Sequence, residues 1–342
     1  MEKVAEALAK ASADGEPMVV ARVIEVEGFS TLPVDEVVAM DGSGRFVGEI
    51  FAEHGRKAIL PAATELLRSS DKEQLAQVDV SVGGSSVAEL GLSCGGRVKV
   101  LLQKSQSIPV ETWSAMASRS AVALVTVLEG FGSEEGAIAV GPGGSSWGAF
   151  SGRAAAVGEQ LVAEAQRLLG DGVTARRIVD TELGKALVEV WVPSPRVVVV
   201  GTGEVVTAIE AQSALLGWEV RHTADHETVP EMLEWAGMTG ALVVLSHDPH
   251  VDVPALAAGL STSICYVGAM GSRSTQSRRI ERLTASGISE ADVARVHRPI
   301  GLDLGGRSAP EIALAIAAEI QAVVHNREAK PLRNTSGPIH RP

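Results

Sequence analysis

The stretch Arg196-Val197-Val198-Val199-Val200-Gly201-Thr202-Gly203-Glu204-Val205-Val206 decides the fold of the second half of this chain. Four consecutive valines indicate a buried strand, and a Gly-x-Gly turn then opens a helical pattern. This order is typical of the first unit of a dinucleotide-binding sheet. Gly201 and Gly203 would permit a tight turn and the close approach of a phosphate, whereas Val206 stands at the third, usually small, position. The stretch predicts a Rossmann-like fold, with either a nucleotide or related anion at the turn or an unused site.

Strand and helix patterns alternate from Arg196 to the end of the domain. Alternation of this kind predicts an α/β domain with a parallel sheet and helices on both faces. The predicted strands are residues 197–200, 219–223, 241–245 and 264–267. The predicted helices are residues 205–216, 230–236, 254–260, 273–286 and 309–324.

The amino-terminal part contains a weak internal duplication. Residues 21–30 resemble residues 123–132, and residues 46–51 resemble residues 146–151. In each copy a helical stretch follows, and then an alternating strand. Glycine-rich β-segments can look alike by chance, but the shared order of elements favours duplication. The sequence therefore predicts an amino-terminal α+β domain made of two similar halves.

The boundary between the domains is expected at Pro193-Ser194-Pro195, because two prolines around a serine break both helix and sheet. We predict an amino-terminal domain over residues 1–192 and a Rossmann-like domain over residues 193–327. Residues 328–342 are rich in proline and poor in apolar side chains, so we predict a disordered tail.

Composition excludes several classes of function. The 342 residues include 30 Lys and Arg against 42 Asp and Glu, which gives a net charge of −12 that would repel a nucleic-acid backbone. Aromatic residues make up only 3%, too few for platforms that stack single-stranded bases. No apolar run approaches the ~18 residues that a membrane span needs. Two cysteines and no secretory signal predict a cytoplasmic protein without a disulfide framework.

An anion site is predicted in Cys265-Tyr266-Val267-Gly268-Ala269-Met270-Gly271-Ser272-Arg273. An apolar strand reaches Gly268, and Gly271 and Ser272 then precede a helix rich in arginine. Ligands of open α/β sheets bind at the carboxyl ends of strands, and a helix N-terminus favours an anion. Backbone N–H groups of this stretch and the Arg273 guanidinium are therefore candidate phosphate contacts.

His247, Asp248 and Asp303 are candidate polar groups of the same crevice. His247 and Asp248 follow the predicted third strand, where they could act as acid and base, bind a metal, contact a ligand or cap the loop. The sequence has no HExxH pattern and no CxxC pair, and we predict no metal site.

The two thiols receive different predictions. Cys94 stands next to Gly95 and Gly96, where a bulky ligand could approach and neighbouring N–H groups could lower the pKa of the thiol. A free cysteine is nevertheless often a small buried hydrophobe, and both interpretations stay open for Cys94. Cys265, inside the predicted strand 264–267, is expected to be a core residue.

The assembled order resembles the XdhC/CoxI family, the xanthine dehydrogenase accessory factors. The resemblance covers most of the carboxyl-terminal domain: the turn at residues 201–203, Ser246-His247-Asp248, residues 266–273 and Pro299-Ile300-Gly301-Leu302-Asp303-Leu304-Gly305. In the amino-terminal domain residues 92–96 fit a Cys-Gly-Gly element of the family. The chain departs from the family pattern at residues 31–35, at residues 52–56, and at Glu204, where a histidine often stands.

The resemblance implies an accessory protein that binds the molybdenum cofactor (molybdopterin), aids its sulfuration together with a cysteine desulfurase, and delivers it to a molybdenum hydroxylase apoenzyme. It favours a cofactor-binding chaperone over an enzyme and leaves a homodimer open. Cys94 would contact the cofactor or sulfur; the expected binding residues are Gly201, Gly203, His247, Asp248, Gly268, Gly271, Ser272, Arg273 and Asp303. The alternatives are an NAD(P)-dependent oxidoreductase and an interaction module with an unused site.

Overall fold

A computed structural model describes residues 1–27, 37–50, 52–69, 73–82, 96–129 and 136–335. The chain divides into two compact units, one ending at Val192 and the other beginning at Pro193. Cys94 and residues 31–35 lie outside the described residues, as do residues 336–342 of the predicted tail. The described part of that tail has one 3₁₀ turn, at Leu332–Asn334. No helix in the described ranges is long and apolar enough to cross a membrane.

The first unit consists of two five-stranded antiparallel sheets with helices. Its elements are α1 (Glu2–Asp14), β1 (Met18–Glu27), β2 (Val37–Asp41), β3 (Phe46–Val47), α2 (Ala52–Arg68), β4 (Leu75–Val82), β5 (Gly96–Lys104), α3 (Val110–Ala117), β6 (Val122–Glu129), β7 (Ala137–Val140), β8 (Ser146–Gly148), α4 (Gly158–Gly170), β9 (Ala175–Asp180) and β10 (Lys185–Trp191). The sheet orders are β3-β2-β1-β5-β4 and β8-β7-β6-β10-β9. The second order repeats the first, so the predicted α+β fold with internal duplication is confirmed.

Each sheet is covered by one amphipathic helix. On α4 the buried side chains are Leu161, Ala165 and Leu168, at the spacing i, i+4, i+7 that puts them on one face. On α2 the residues Ile59 and Leu66 occupy equivalent positions against the first sheet. Helices α1 and α3 belong to a shared core with strands of both sheets, which joins the two halves.

A buried cluster of charged and polar side chains also joins the two sheets. Arg22 of β1 is 0% exposed and donates through Nη1 to Oε2 of Glu189 on β10, at 2.5 Å. Its Nη2 donates to Gln103 of β5. Arg176 of β9 donates through Nε to the other oxygen of Glu189, at 2.8 Å. The acceptors of Arg22 are therefore side chains fixed on strands.

The second unit is a parallel α/β sheet with helices on both faces, as predicted. Its elements are β11 (Arg196–Val200), α5 (Glu204–Leu215), β12 (Glu219–Thr223), α6 (Val229–Ala236), β13 (Ala241–Val244), α7 (Pro249–Leu260), β14 (Tyr266–Ala269), α8 (Arg273–Ala285), α9 (Glu290–Ala294), β15 (Val296–His297) and α10 (Ala309–Val324). The strand order is β12-β11-β13-β14-β15, with parallel pairing throughout.

The valine run of β11 is buried on both sides of this sheet. Val197 and Val199 pack in a cluster with α5 and α10, and Val198 and Val200 pack in another with α6, α7, α8 and α9. A strand covered on both faces has no solvent side, which explains why its sequence is continuously apolar rather than alternating.

Two of the predicted elements of this unit are wrong in ways that matter for the site. The strand predicted at residues 264–267 is β14, which begins at Tyr266, the register partner of Ala241; Cys265 therefore precedes the strand and is exposed rather than a core residue. Helix α7 begins at Pro249, not at residue 254. Asp248 caps it by accepting the N–H of His250 at 2.9 Å, and Pro249 occupies the first turn, where its missing N–H costs nothing.

Candidate functional site

The predicted site residues of the second unit gather at one edge of its sheet. Val200, Val244 and Ala269 are register partners, so β11, β13 and β14 end level with one another. The strand order reverses at β11, which has β12 on one side and β13 on the other. In open α/β sheets a ligand crevice forms outside the carboxyl ends of strands at such a reversal. The loops after β11, β13, β14 and β15 therefore form the candidate site.

The turn after β11 requires both of its glycines. Gly201 has φ 148°, and a Cβ there would lie 2.9 Å from Cβ of Leu245 in the next loop. Gly203 has φ 99°, yet nothing lies within 4 Å of the position that its Cβ would take. The first glycine thus permits close packing of two loops, while the second leaves open space at the start of α5.

Helix α5 begins without a side-chain cap, because its N-cap residue is Gly203. Within the described residues, backbone bonding at this end begins with the N–H of Val206, which donates to the carbonyl of Gly203 at 3.1 Å. By contrast, α7 is capped by Asp248 and α8 by Ser272, whose Oγ accepts the N–H of Thr275 at 3.3 Å. The first N–H groups of α5 are therefore the ones best placed to bind an anion.

The loop after β13 carries His247 and Asp248. The side chain of His247 is exposed, whereas one carboxylate oxygen of Asp248 is already used to cap α7. Three residues into that helix, Asp252 is 3% exposed and pairs with the buried Arg279 of α8. The side chain of His247 is therefore accessible to a ligand, whereas the side chain of Asp248 already makes a hydrogen bond that stabilises the start of α7.

Arg279 of α8 is a buried residue of the site that the sequence did not predict, because the sequence pattern indicated only a helix rich in arginine. It is 2% exposed, and all five of its N–H donors have acceptors. Nε and Nη2 donate to Oδ2 of Asp252 at 2.9 and 2.5 Å, and Nη1 donates to Oε1 of Gln276 at 2.8 Å. The remaining two reach the carbonyls of Met270 at 3.0 Å and Ser246 at 3.3 Å. The spacing of Gln276, Arg279 and Leu283 at i, i+3, i+7 was the sequence signal for a buried face.

The glycines around β14 have different roles. Gly268 lies inside the strand, and a Cβ there would come within 2.5 Å of Ile300 and 2.7 Å of Tyr266. This glycine is therefore explained by packing, and its expected contact with a phosphate has no support from its position. Gly271, with φ 135°, lies in the loop itself, directly before the N-cap residue of α8. Arg273, the first residue of α8, is exposed at this edge.

The loop after β15 is held by Glu319 of α10. Its Oε2 accepts the hydroxyl of Tyr266 at 2.5 Å and the N–H of Gly301 at 2.7 Å, and its Oε1 is 3.1 Å from Nδ1 of His297. Burial raises the pKa of Glu319, but the bonds from His297, Tyr266 and Gly301 outweigh it, so its pKa lies below the ordinary value.

Because a carboxylate only accepts, His297 must donate from Nδ1. The predicted residue Asp303 follows this anchored segment and is exposed. No group of three or more His, Cys, Asp or Glu residues that could hold a metal occurs among the described residues.

Comparison with known proteins gives one family match. Residues 197–320 match the family model described as the XdhC Rossmann domain. Of two similar proteins from Escherichia coli strain K12, the uncharacterized protein YqeB is 30% identical, with 42% of this chain and 30% of YqeB covered. The other is the molybdenum cofactor insertion chaperone PaoD, which is 32% identical, with 26% of this chain and 28% of PaoD covered. The matched segments thus span less than a third of either relative.

A crystal structure of a xanthine dehydrogenase from Bacillus halodurans is similar in fold. The comparison covers 95% of this chain and 97% of that one, with a TM-score of 0.52 and 17% sequence identity. At this identity the likeness shows a shared fold over both units.

Proposed function

Because residues 197–320 match the XdhC Rossmann domain, we propose that the chain is a maturation factor for a molybdenum hydroxylase. In this proposal it binds the molybdenum cofactor as cargo at the carboxyl edge of its parallel sheet and passes it to the apoenzyme. The similarity to a molybdenum cofactor insertion chaperone supports the class of cargo.

The observation that carries the proposal is the uncapped start of α5, which lies at the same edge of the sheet as the exposed Arg273. The molybdenum cofactor carries a phosphate, and the N–H groups that follow Gly203 have no side-chain acceptor from their own N-cap residue. Gly203 leaves open space there, and Gly271, Ser272 and Arg273 lie at the start of α8 on the same edge of the sheet. His247 and Asp303 are exposed and would contact the polar parts of the cargo. Gly268 has no part in the proposal, because its surroundings are filled by Ile300 and Tyr266.

The alternative of an NAD(P)-dependent oxidoreductase has less support. A dinucleotide site of this type uses an acidic residue near the end of the second strand to bind the ribose. Here Asp225 stands closest to the end of β12, and its Oδ1 accepts the N–H of Glu227 at 2.9 Å as the cap of a short 3₁₀ turn. One of its oxygens is therefore already used.

We keep the other sequence-based expectations as parts of the proposal. Cys94 would contact the cofactor or its sulfur, a cysteine desulfurase would supply the sulfur, and the protein would work in the cytoplasm. A homodimer remains a prediction as well.

The test is transfer of the cofactor. The purified protein, loaded with molybdenum cofactor, should activate a cofactor-free molybdenum hydroxylase in proportion to the amount added. Arg273→Gln should reduce activation at limiting concentration by about tenfold or more, since a charge-assisted hydrogen bond contributes roughly 1.5–3 kcal/mol. Arg278→Gln is the matched control, because Arg278 is also exposed and lies on the same helix.

Three results would count against the proposal. Failure of the loaded parent protein to activate the apoenzyme would reject it. Equal activation by both arginine variants would reject the assignment of the phosphate site, and full activity of Cys94→Ala would reject the thiol contact. Saturable binding of NADH or NADPH, measured by fluorescence titration, would instead favour the oxidoreductase.

A further inference from the structure

The buried Arg279 guanidinium connects two loops of the candidate site. The carbonyl of Ser246 directly precedes His247, and the carbonyl of Met270 directly precedes Gly271. The rigid, planar guanidinium of Arg279 thus makes one hydrogen bond to each loop. In each loop the bond is to the residue that directly precedes the exposed residues. Gln276 supports the second loop further, because its Nε2 donates to the carbonyl of Ala269 at 2.9 Å.

The geometry of the ion pair shows that Arg279 is arranged for these carbonyls. A guanidinium and a carboxylate pair most favourably side by side, with two parallel bonds to two oxygens. Here both bonds go to Oδ2 of Asp252, and its Oδ1 is buried without a partner among the described residues. Leaving a buried acceptor unpaired is costly. The ion pair therefore departs from the most favourable side-by-side arrangement. In the arrangement observed, the guanidinium donates to the carbonyls of both loops.

We propose that Arg279 is a positioning residue that couples the loop after β13 to the loop after β14. Through this coupling, His247 and the start of α8 with Arg273 are presented to the cargo as one unit. The proposal rests on the proposed function for the nature of the cargo, but the coupling itself can be measured without it.

Lysine cannot replace Arg279 in this role. It keeps the positive charge beside Asp252, but it has three donors on one atom instead of five donors in a planar fork. A single ammonium can satisfy Asp252 and cannot also span both carbonyls. Arg279→Lys therefore separates the ion pair from the connection of the loops.

The first measurement is amide hydrogen exchange of the full chain without ligand. In Arg279→Lys we expect exchange at residues 245–248 and residues 270–273 to rise together by about tenfold, a size typical of coupled contacts. Arg278→Lys, an exposed neighbour on α8, should leave both segments unchanged. A rise in one loop alone, or an even rise over all strands of the parallel sheet, would overturn the coupling.

The second measurement is the dissociation constant for molybdenum cofactor released from a hydroxylase. Arg279→Lys should weaken binding by about tenfold, and Arg278→Lys should not. Unchanged affinity together with mobile loops would overturn the role in presenting cargo. A parent protein that binds no cofactor would overturn the proposed function, while the exchange data would still decide the coupling.

A second variant covers the case in which Arg279→Lys does not fold. Asp252→Asn keeps the volume of the side chain but removes the negative charge that holds the Arg279 guanidinium between the two carbonyls. We expect exchange of the two loops to rise together by about threefold, which is less than for Arg279→Lys. No change in either loop would contradict the proposal.

Discussion

In each unit of the chain an arginine is buried beside a carboxylate, Arg22 in the first and Arg279 in the second, and the two arginines donate to different kinds of acceptor. Arg22 reaches Glu189 and Gln103, which are side chains on strands of two sheets, and its Nε is buried without a partner in the described structure. All five N–H donors of Arg279 make hydrogen bonds, and two of them donate to main-chain carbonyls at the starts of loops. The same ion-pair chemistry therefore serves two purposes.

The acceptors indicate what each pair does. Side-chain acceptors on paired strands fix how two sheets pack, so the Arg22 cluster should matter for folding of the first unit. Carbonyl acceptors at strand ends fix where loops leave the sheet, so Arg279 should matter for the shape of the candidate site. Changes at the first cluster should mainly affect stability, and changes at the second should mainly affect binding.

The largest expected effect is on the stability of the first unit. Glu189→Leu leaves Arg22 buried with no carboxylate, and we expect the free energy of unfolding to fall by about 3–5 kcal/mol. The double change Arg22→Met with Glu189→Leu should recover only part of this loss, because it removes the buried Arg22 charge but still leaves Arg176 without its carboxylate. Urea denaturation of the full chain, with unfolding followed at backbone amides of the first unit, measures the change in free energy for both variants.

The control for this prediction is an exposed ion pair of the same unit. Lys57→Ala removes the pair with Glu53, in which both side chains are largely exposed, and should leave the free energy of unfolding nearly unchanged. If Glu189→Leu proved as mild as Lys57→Ala, the buried cluster would not hold the two sheets together.

A smaller effect on stability is expected at Arg279. Arg279→Lys keeps a cation beside Asp252 and should lower the free energy of unfolding of the second unit by about 1–3 kcal/mol. At the same time the cofactor dissociation constant should rise about tenfold, which the Arg22 cluster variants should not cause. If the Arg22 cluster variants and Arg279→Lys bound the cofactor with equal affinity, the claim that the first arginine serves stability and the second serves binding would be wrong.

Glu319 should show a dependence on pH. Its folded pKa lies below the ordinary value, so its contribution to stability is present above the unfolded pKa of about 4.3 and is lost as pH falls through the lower folded pKa. Glu319→Gln should destabilise the second unit by about 1 kcal/mol at neutral pH, with the difference shrinking below about pH 4. Thermal unfolding of parent and variant across pH 3–7 tests this, and a constant difference would contradict it.

The smallest effect is expected at the start of α10. Glu311 accepts the N–H groups of Ser308 and Arg307 and the hydroxyl of Ser308, and these bonds lower its pKa to about 2. Its stabilising contribution is therefore present above its unfolded pKa and is lost as pH falls toward about 2. Titration of the Glu311 carboxyl carbon by NMR should give a pKa of about 2, and Ser308→Ala should raise it. An ordinary value in the parent protein would mean that this capping box is absent.

Much of the second unit could be predicted because strong local patterns encode it. The valine run of β11 and the apolar periodicity of α10 each determine an element without help from distant residues. The prediction for Cys265 failed because the start of a strand depends on its neighbour: Ala241 pairs with Tyr266, and β13 begins there. The role of Arg279 was missed because a charged side chain suggests a solvent-facing position, and only the tertiary structure brings acceptors to all five of its N–H donors.

The candidate site was only partly accessible to sequence reasoning. Gly201, Gly203, Gly271 and Arg273 could be found, since turn glycines and a helix start have local signatures. Gly268 looked equivalent to them, yet its reason is the packing of Ile300 and Tyr266, which come from distant parts of the chain. Glu319 could not be found, because its three partners belong to β14, β15 and the loop that follows β15.

The most direct test of the central claim is hydrogen exchange of the full chain with and without molybdenum cofactor. We predict that saturating cofactor protects residues 201–206, 246–248 and 270–274 in the parent protein, and that Arg273→Gln reduces this protection while Arg278→Gln retains it. Saturable binding without protection of these segments, or no binding at all, would contradict a cofactor site at the carboxyl edge of the parallel sheet.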